Sequence, residues 1–151
     1  VGGHPHDPLF DIAKKRITYV FPRVNYTLMP LFYNAADAFV WLTEARHQHG
    51  GIGISVLEAL FCGLPAFSNT LLNIPYFTNE PRILRLTNEL YVRSMEEFTQ
   101  KLKNTDLHEL RKYIISIRGV LTKLFSERSM ALYLSKVLLN LYSKGIQNPK
   151  R

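Results

Sequence analysis

Apolar positions along the chain fall into short runs of β type separated by stretches of helical period. "ITYVF" (17–21) is β-branched and aromatic and ends at Pro22, while "AFVWL" (38–42) is a continuous apolar run between Asp37 and a polar loop. Both predict buried strands. Between them, "LMPLFYNAAD" has Leu28, Leu31 and Phe32 at helical spacing, and Pro30 is tolerated there only in the first turn of a helix.

The alternation then repeats. "ISVLEALFC" predicts a helix closed by Gly63, "PAFSN" a short strand, and "ELYV" (89–92) a further strand after a loop. Ser94 followed by Glu97 reads as a capping box that opens a helix through about Leu102. Leu107, Leu110, Ile114, Ile117, Leu121 and Leu124 alternate spacings of three and four, which predicts one continuous helix. A last helix starts at Ser126 as N-cap, turns Met130, Leu134, Val137, Leu138 and Leu141 inward, and ends at Gly145. Strands alternating with helices imply an α/β fold with a doubly wound, mostly parallel sheet flanked by helices and two helices at its C-terminal end. The expectation is one domain over residues 1–145 and a frayed tail at 146–151, with no internal repeat or linker.

Composition narrows the setting. The chain has 151 residues, 46% of them hydrophobic and 12% aromatic, enough for one core. A single cysteine, Cys62, cannot form an internal disulfide, so a reducing cytoplasm is the expected compartment. Lys136 and Glu58 interrupt the two long apolar runs, so neither spans a membrane, and "VGGHPHDPLF" lacks the pattern of a signal peptide.

Charge is uneven. Residues 1–100 hold 8 Lys/Arg and 9 Asp/Glu, whereas residues 101–151 hold 11 against 3. Aromatics are not interleaved with these cations as base-stacking platforms would be, which argues against nucleic acid. The tail reads either as a solvated helix face or as a surface that contacts anionic membrane through residues 101–151, near Arg111, Lys112, Arg118 and Lys123.

The candidate chemistry centres on "HGGIGISVLEALFCGLPAF" (49–67). Its glycines do not complete G-x-G-x-x-G, because position 56 is valine, and no Walker lysine follows. They form a Gly-rich loop entering a helix at about Ile54, where unpaired backbone N–H groups and the helix dipole favour an anion. The plainer alternative is a turn that needs positive φ. Glu58 lies one helical turn beyond Ile54, and its two oxygens suit a vicinal diol such as ribose; alternatively it is an exposed charge on a half-buried helix. The H-x-H pairs His4/His6 and His47/His49 have no third ligand at metal-binding spacing, so no metal is expected.

In order along the chain, "ITYVFPRV", "LMPLFYNAADAFVWLT", "GGIGISVLEALFCGLPAFSN" and "NIP" resemble the nucleotide-sugar-binding C-terminal half of GT-B glycosyltransferases. The likeness is to the retaining group typified by glycogen synthases and many mannosyl- and glucosyltransferases. "LYVRSMEEFTQKL" and "FSERSMALYLSKVLLNLY" resemble two later elements of the same half. The resemblance implies a Rossmann-like domain forming half of a GT-B fold. It would bind a nucleotide diphosphate sugar as substrate, with no cofactor or metal, while a separate N-terminal domain holds the acceptor. It implies that Glu58 binds the ribose hydroxyls and that the backbone of Gly51, Ile52, Gly53 and Ile54 meets the diphosphate or sugar.

Three positions depart from the family pattern. The first of its paired glutamates falls on Gly50, with Glu44, His47 or His49 as candidate substitutes on the donor sugar. "LNIPY" replaces its Gly-Gly-x-Pro-Glu loop. Its diphosphate-neutralising Arg and Lys would precede "VGG", so either they are expected upstream together with a central strand or the sheet is expected to be rearranged. These departures keep open a second reading, a non-catalytic nucleotide-binding or protein-interaction module with the same fold.

Overall fold

The computed structural model of the chain describes residues 15, 21, 24–43, 52–76, 78–129, 131, 132 and 135. Of the expected strand 17–21 only Phe21 belongs to them; the loop 44–50 and most of the expected last helix lie outside. The fold is mixed α/β and mostly helical, and the described residues contain one sheet of two parallel strands.

Helix α1 (Met29–Ala35) follows a 3₁₀ turn at Tyr26–Leu28 in which Thr27 N–H donates to the Asn25 side-chain oxygen. Pro30 stands in its first turn, where the missing N–H costs nothing. The helical spacing of Leu28, Leu31 and Phe32 does not mark the buried face: Leu28 and Leu31 are exposed, and the buried residue is Tyr33, with Met29 and Ala36 packed against the core. Phe32 instead meets Phe21 edge to face, with ring centroids 5.1 Å apart.

Strand β1 (Phe39–Trp41) and strand β2 (Ala66–Ser68) pair in parallel, with Phe39 opposite Ala66 and Trp41 opposite Ser68. Parallel neighbours need a crossover, and α2 (Ile54–Phe61) supplies the helix in it. Helix α2 ends as expected at Gly63, whose φ of 80° is the left-handed conformation that favours glycine. Gly63 N–H donates to the Leu60 carbonyl and Leu64 N–H to that of Ala59, which satisfies two of the helix's last carbonyls. Strand β2 is buried throughout, and Phe67 meets Phe98 edge to face at 5.3 Å.

Downstream, three expectations meet the structure. A 3₁₀ turn at Thr70–Tyr76 and α3 (Pro81–Leu90) occupy most of the expected loop. The strand expected at 89–92 is corrected: Glu89 and Leu90 complete α3, and only Tyr91 makes a bridge, parallel to Ser68. Helix α3 wins because Glu80 caps it, Pro81 starts it, and Ile83, Leu86, Thr87 and Leu90 all turn into the core.

Helix α4 (Met95–Asn104) opens on Ser94, whose hydroxyl accepts from Glu97 N–H at 3.3 Å. The Glu97 carboxylate reaches back to Arg93 N–H, one residue before the cap, at 2.9 Å. The single helix expected over 107–124 is two, α5 (Leu107–Ser116) and α6 (Arg118–Leu124), interrupted at Ile117. The Ser116 hydroxyl bonds the Tyr113 carbonyl at 2.7 Å, and Gly119 weakens the next turn, so the backbone breaks while the apolar stripe continues. Leu110, Ile114, Ile117 and Leu121 are all buried. Ser126 accepts from Ser129 N–H, as its expected capping role requires.

Among the described residues no helix is long and apolar enough to cross a membrane.

Candidate functional site

Strand β1 ends beside the start of α2, at the carboxyl edge where open α/β sheets bind ligands. Asn69, just after β2, holds that edge together. Its side-chain oxygen accepts from Thr43 N–H at 3.1 Å and its amide donates to the Thr43 carbonyl at 2.7 Å, extending the strand pairing by side chain.

Glu44, His47, His49, Gly50 and Gly51 lie outside the described residues. Of the rest of the loop, Ile52 is half-buried against the core, and Ile54 stands 74% exposed at the first position of α2. Gly53 precedes the helix with φ −55°, so positive φ does not account for this glycine. A Cβ on it would meet Trp41 Nε1 at 3.4 Å, ordinary contact, so crowding does not demand glycine either. Among the described residues no side chain caps α2: its first-turn acceptor is the Gly53 carbonyl, bonded by Val56 and Leu57 N–H. Gly53 N–H itself reaches the Thr70 hydroxyl at a long 3.5 Å. Among the described residues no side chain therefore occupies the cap position of α2, the place where a helix start can take an anion.

Glu58 turns from α2 toward the 3₁₀ turn and α1, where two phenols meet it. Tyr33 Oη donates to Glu58 Oε2 at 2.9 Å, and Tyr26 Oη donates to Oε1 at 2.5 Å. The two donors differ in setting. Tyr33 is only 4% exposed and its ring abuts Phe39, whereas Tyr26 is 69% exposed on a turn that buries none of its residues. Burial pushes the Tyr33 phenol up to about 12, assisted by the hydrogen bond to Glu58 and by its charge. The hydrogen bond to Glu58, followed by the carboxylate's charge, raises Tyr26.

Beside the carboxylate lies a groove of about 340 Å³, lined by Met29, Pro30, Phe61 and Cys62 and flanked by Tyr26 and Tyr33. It is apolar except where Glu58 and the phenols meet it, the arrangement typical of a small-molecule cleft.

Tyr26, Tyr33 and Trp41 belong to this region and were not singled out by sequence. Tyr26 and Tyr33 are seven residues apart, two helical turns, and that spacing was their one legible signal. Trp41 ends β1, is 42% exposed, and stands against Gly53. Among the basic residues of the C-terminal part, Arg111 is half-buried and its guanidinium bonds the Ala36 carbonyl at 3.3 Å, closing α1. Lys112 pairs with Glu109 on the surface.

Comparisons with protein-family models, with curated proteins and with solved structures find no match to this chain.

Proposed function

We propose that the chain is the donor-binding part of a GT-B glycosyltransferase, moving a sugar from a nucleotide diphosphate sugar to an acceptor held by a separate N-terminal domain. The observation that carries this reading is the placement of Glu58. It stands one turn inside a helix whose start no described side chain caps, at the carboxyl edge of a parallel strand pair, beside a groove of nucleoside size. Its carboxylate already receives two hydroxyl groups, which is the hydrogen-bonding pattern a ribose diol would offer.

Parallel β1 and β2 joined through α2, with a parallel bridge onward to Tyr91, support a doubly wound Rossmann-like sheet as the wider architecture. The start of α2 and cationic side chains from outside the described residues would stabilise the departing diphosphate. Residues 101–151, with 11 Lys/Arg against 3 Asp/Glu, would favour an anionic membrane surface, as suits a lipid-linked acceptor.

Calorimetry or ligand-observed NMR with UDP, GDP, ADP and their sugars tests the reading, alongside Glu58→Ala. Binding of one nucleotide that the substitution weakens is the expected result. No binding, or binding indifferent to Glu58, would reject the site.

One observation favours a second reading, a non-catalytic module that keeps the fold. Gly50 stands where the resemblance expects an acid on the donor sugar. Nucleotide binding without hydrolysis or transfer of any donor sugar, in a chain completed by its N-terminal domain, would select this reading over the first.

A further inference from the structure

The two phenols on Glu58 are unequal in a way that a purely structural carboxylate does not require. Tyr33 comes from the buried face of α1 and cannot leave Oε2 without opening the contact between α1 and α2. Tyr26 comes from a three-residue turn with no buried residue, and swinging its ring outward uncovers no core. Oε1, the oxygen Tyr26 covers, belongs to a carboxylate that lines the groove, and Tyr26 lines it as well.

We infer that Tyr26 is a built-in stand-in for a ligand hydroxyl: its phenol holds Glu58 Oε1 in the empty protein and yields it to a ribose hydroxyl on binding. Tyr33 is the positioning residue that keeps the carboxylate facing the groove during the exchange. The displacement rests on the reading of Glu58 as the ribose carboxylate and adds to it the residue that tunes affinity.

Physical bookkeeping explains why such a contact lowers affinity without abolishing it. Binding exchanges one hydroxyl–carboxylate hydrogen bond for another, so the ligand gains only the difference, and the apparent dissociation constant rises with the fraction of protein in which Tyr26 is seated. An exposed phenol is a weak competitor, because water takes its place at little cost when it leaves. A buried one would not yield at all.

The test is calorimetry on the full chain with the nucleoside diphosphate that binds it, in parallel with the 2′,3′-dideoxy form of the same nucleotide, for wild type, Tyr26→Phe, Tyr33→Phe and Glu58→Gln. Tyr26→Phe is expected to tighten the ribonucleotide about three- to tenfold and to leave the dideoxy form unchanged. Tyr33→Phe is expected to weaken the ribonucleotide selectively, and circular dichroism establishes that each variant is folded. If Tyr26→Phe leaves ribonucleotide affinity unchanged or lowers it while Glu58→Gln weakens binding, the stand-in is overturned and the ribose site stands. Equal tightening of the ribo and dideoxy forms also overturns it, since the effect is then not at the diol. If no nucleotide binds any variant, the ribose reading itself fails and takes the stand-in with it.

Discussion

Tyr33 donates its phenolic proton to Glu58 Oε2 at 2.9 Å, and that bond ties α1 to α2 across the wall of the groove. One partner is almost fully buried and the other half-buried, so the bond holds a charged group at the edge of the core. Removing the phenol leaves one carboxylate oxygen short of a donor in a poorly solvated place. Tyr33→Phe is expected to cost about 1–2 kcal/mol of stability, read as a lower urea midpoint at unchanged slope. Tyr26→Phe, at an exposed ring, is expected to stay within about 0.5 kcal/mol of wild type.

Burial of Tyr33, helped by the same bond, makes the protein sensitive to alkali. The folded protein holds the Tyr33 proton up to about pH 12, whereas the unfolded chain releases it near 10, the phenol's ordinary value. Tyr33 therefore contributes stability fully below about pH 10 and loses that contribution as pH rises toward about 12. A titration followed by phenolate absorbance should include a step at about pH 12 that Tyr33→Phe removes.

Gly63 and Gly119 are expected to respond in opposite directions to alanine. At Gly63 the backbone has φ 80° and a Cβ would come 2.9 Å from Ile115 Cγ1. Gly63→Ala should cost about 1–3 kcal/mol, because strain and overlap add. At Gly119 a Cβ would meet nothing within 4 Å, and the residue lies in α6. Gly119→Ala should stabilise by about 0.5 kcal/mol. Thermal unfolding of the two variants beside wild type checks the contrast.

Lys101 caps α3 from α4. Its ammonium donates to the carbonyls of Asn88 at 2.8 Å, Glu89 at 3.2 Å and Tyr91 at 2.8 Å, which uses all three of its protons and sets a cation at the negative end of the helix. Lys101→Met keeps the stem and removes the donors. It should lower stability by about 1–2 kcal/mol and speed amide exchange in the last turn of α3 and at Val92, whose N–H pairs with the Ser68 carbonyl. Exchange unchanged at those amides would show that the cap does not hold the end of α3.

Much of the local architecture was legible because its signals are short-range. Gly63 as the end of α2, Pro30 in the first turn of α1, and Ser94 with Glu97 at the start of α4 depend on residues within a few positions of one another. Helix α3 was legible too, in Glu80, Pro81 and the spacing of Ile83, Leu86 and Leu90, but the β-prone "LYV" beside it drew the reading toward a strand. The break at Ile117 hides from a periodicity argument, since its apolar stripe continues across the break.

Sequence by itself pointed to strands within 38–42 and 65–69 with a helix between them, where β1, α2 and β2 stand, and singled out Glu58 as a carboxylate in an apolar helix. Tertiary structure alone decided what that carboxylate meets. Tyr33 is 25 positions from Glu58 and Tyr26 is 32, and Asn69 reaches Thr43 across 26. Partners at such separations are chosen by which faces pack, because each helix exposes several polar groups to choose from and only the burial of Tyr33, with Met29 and Ala36 on its side of α1, selects the pair that forms.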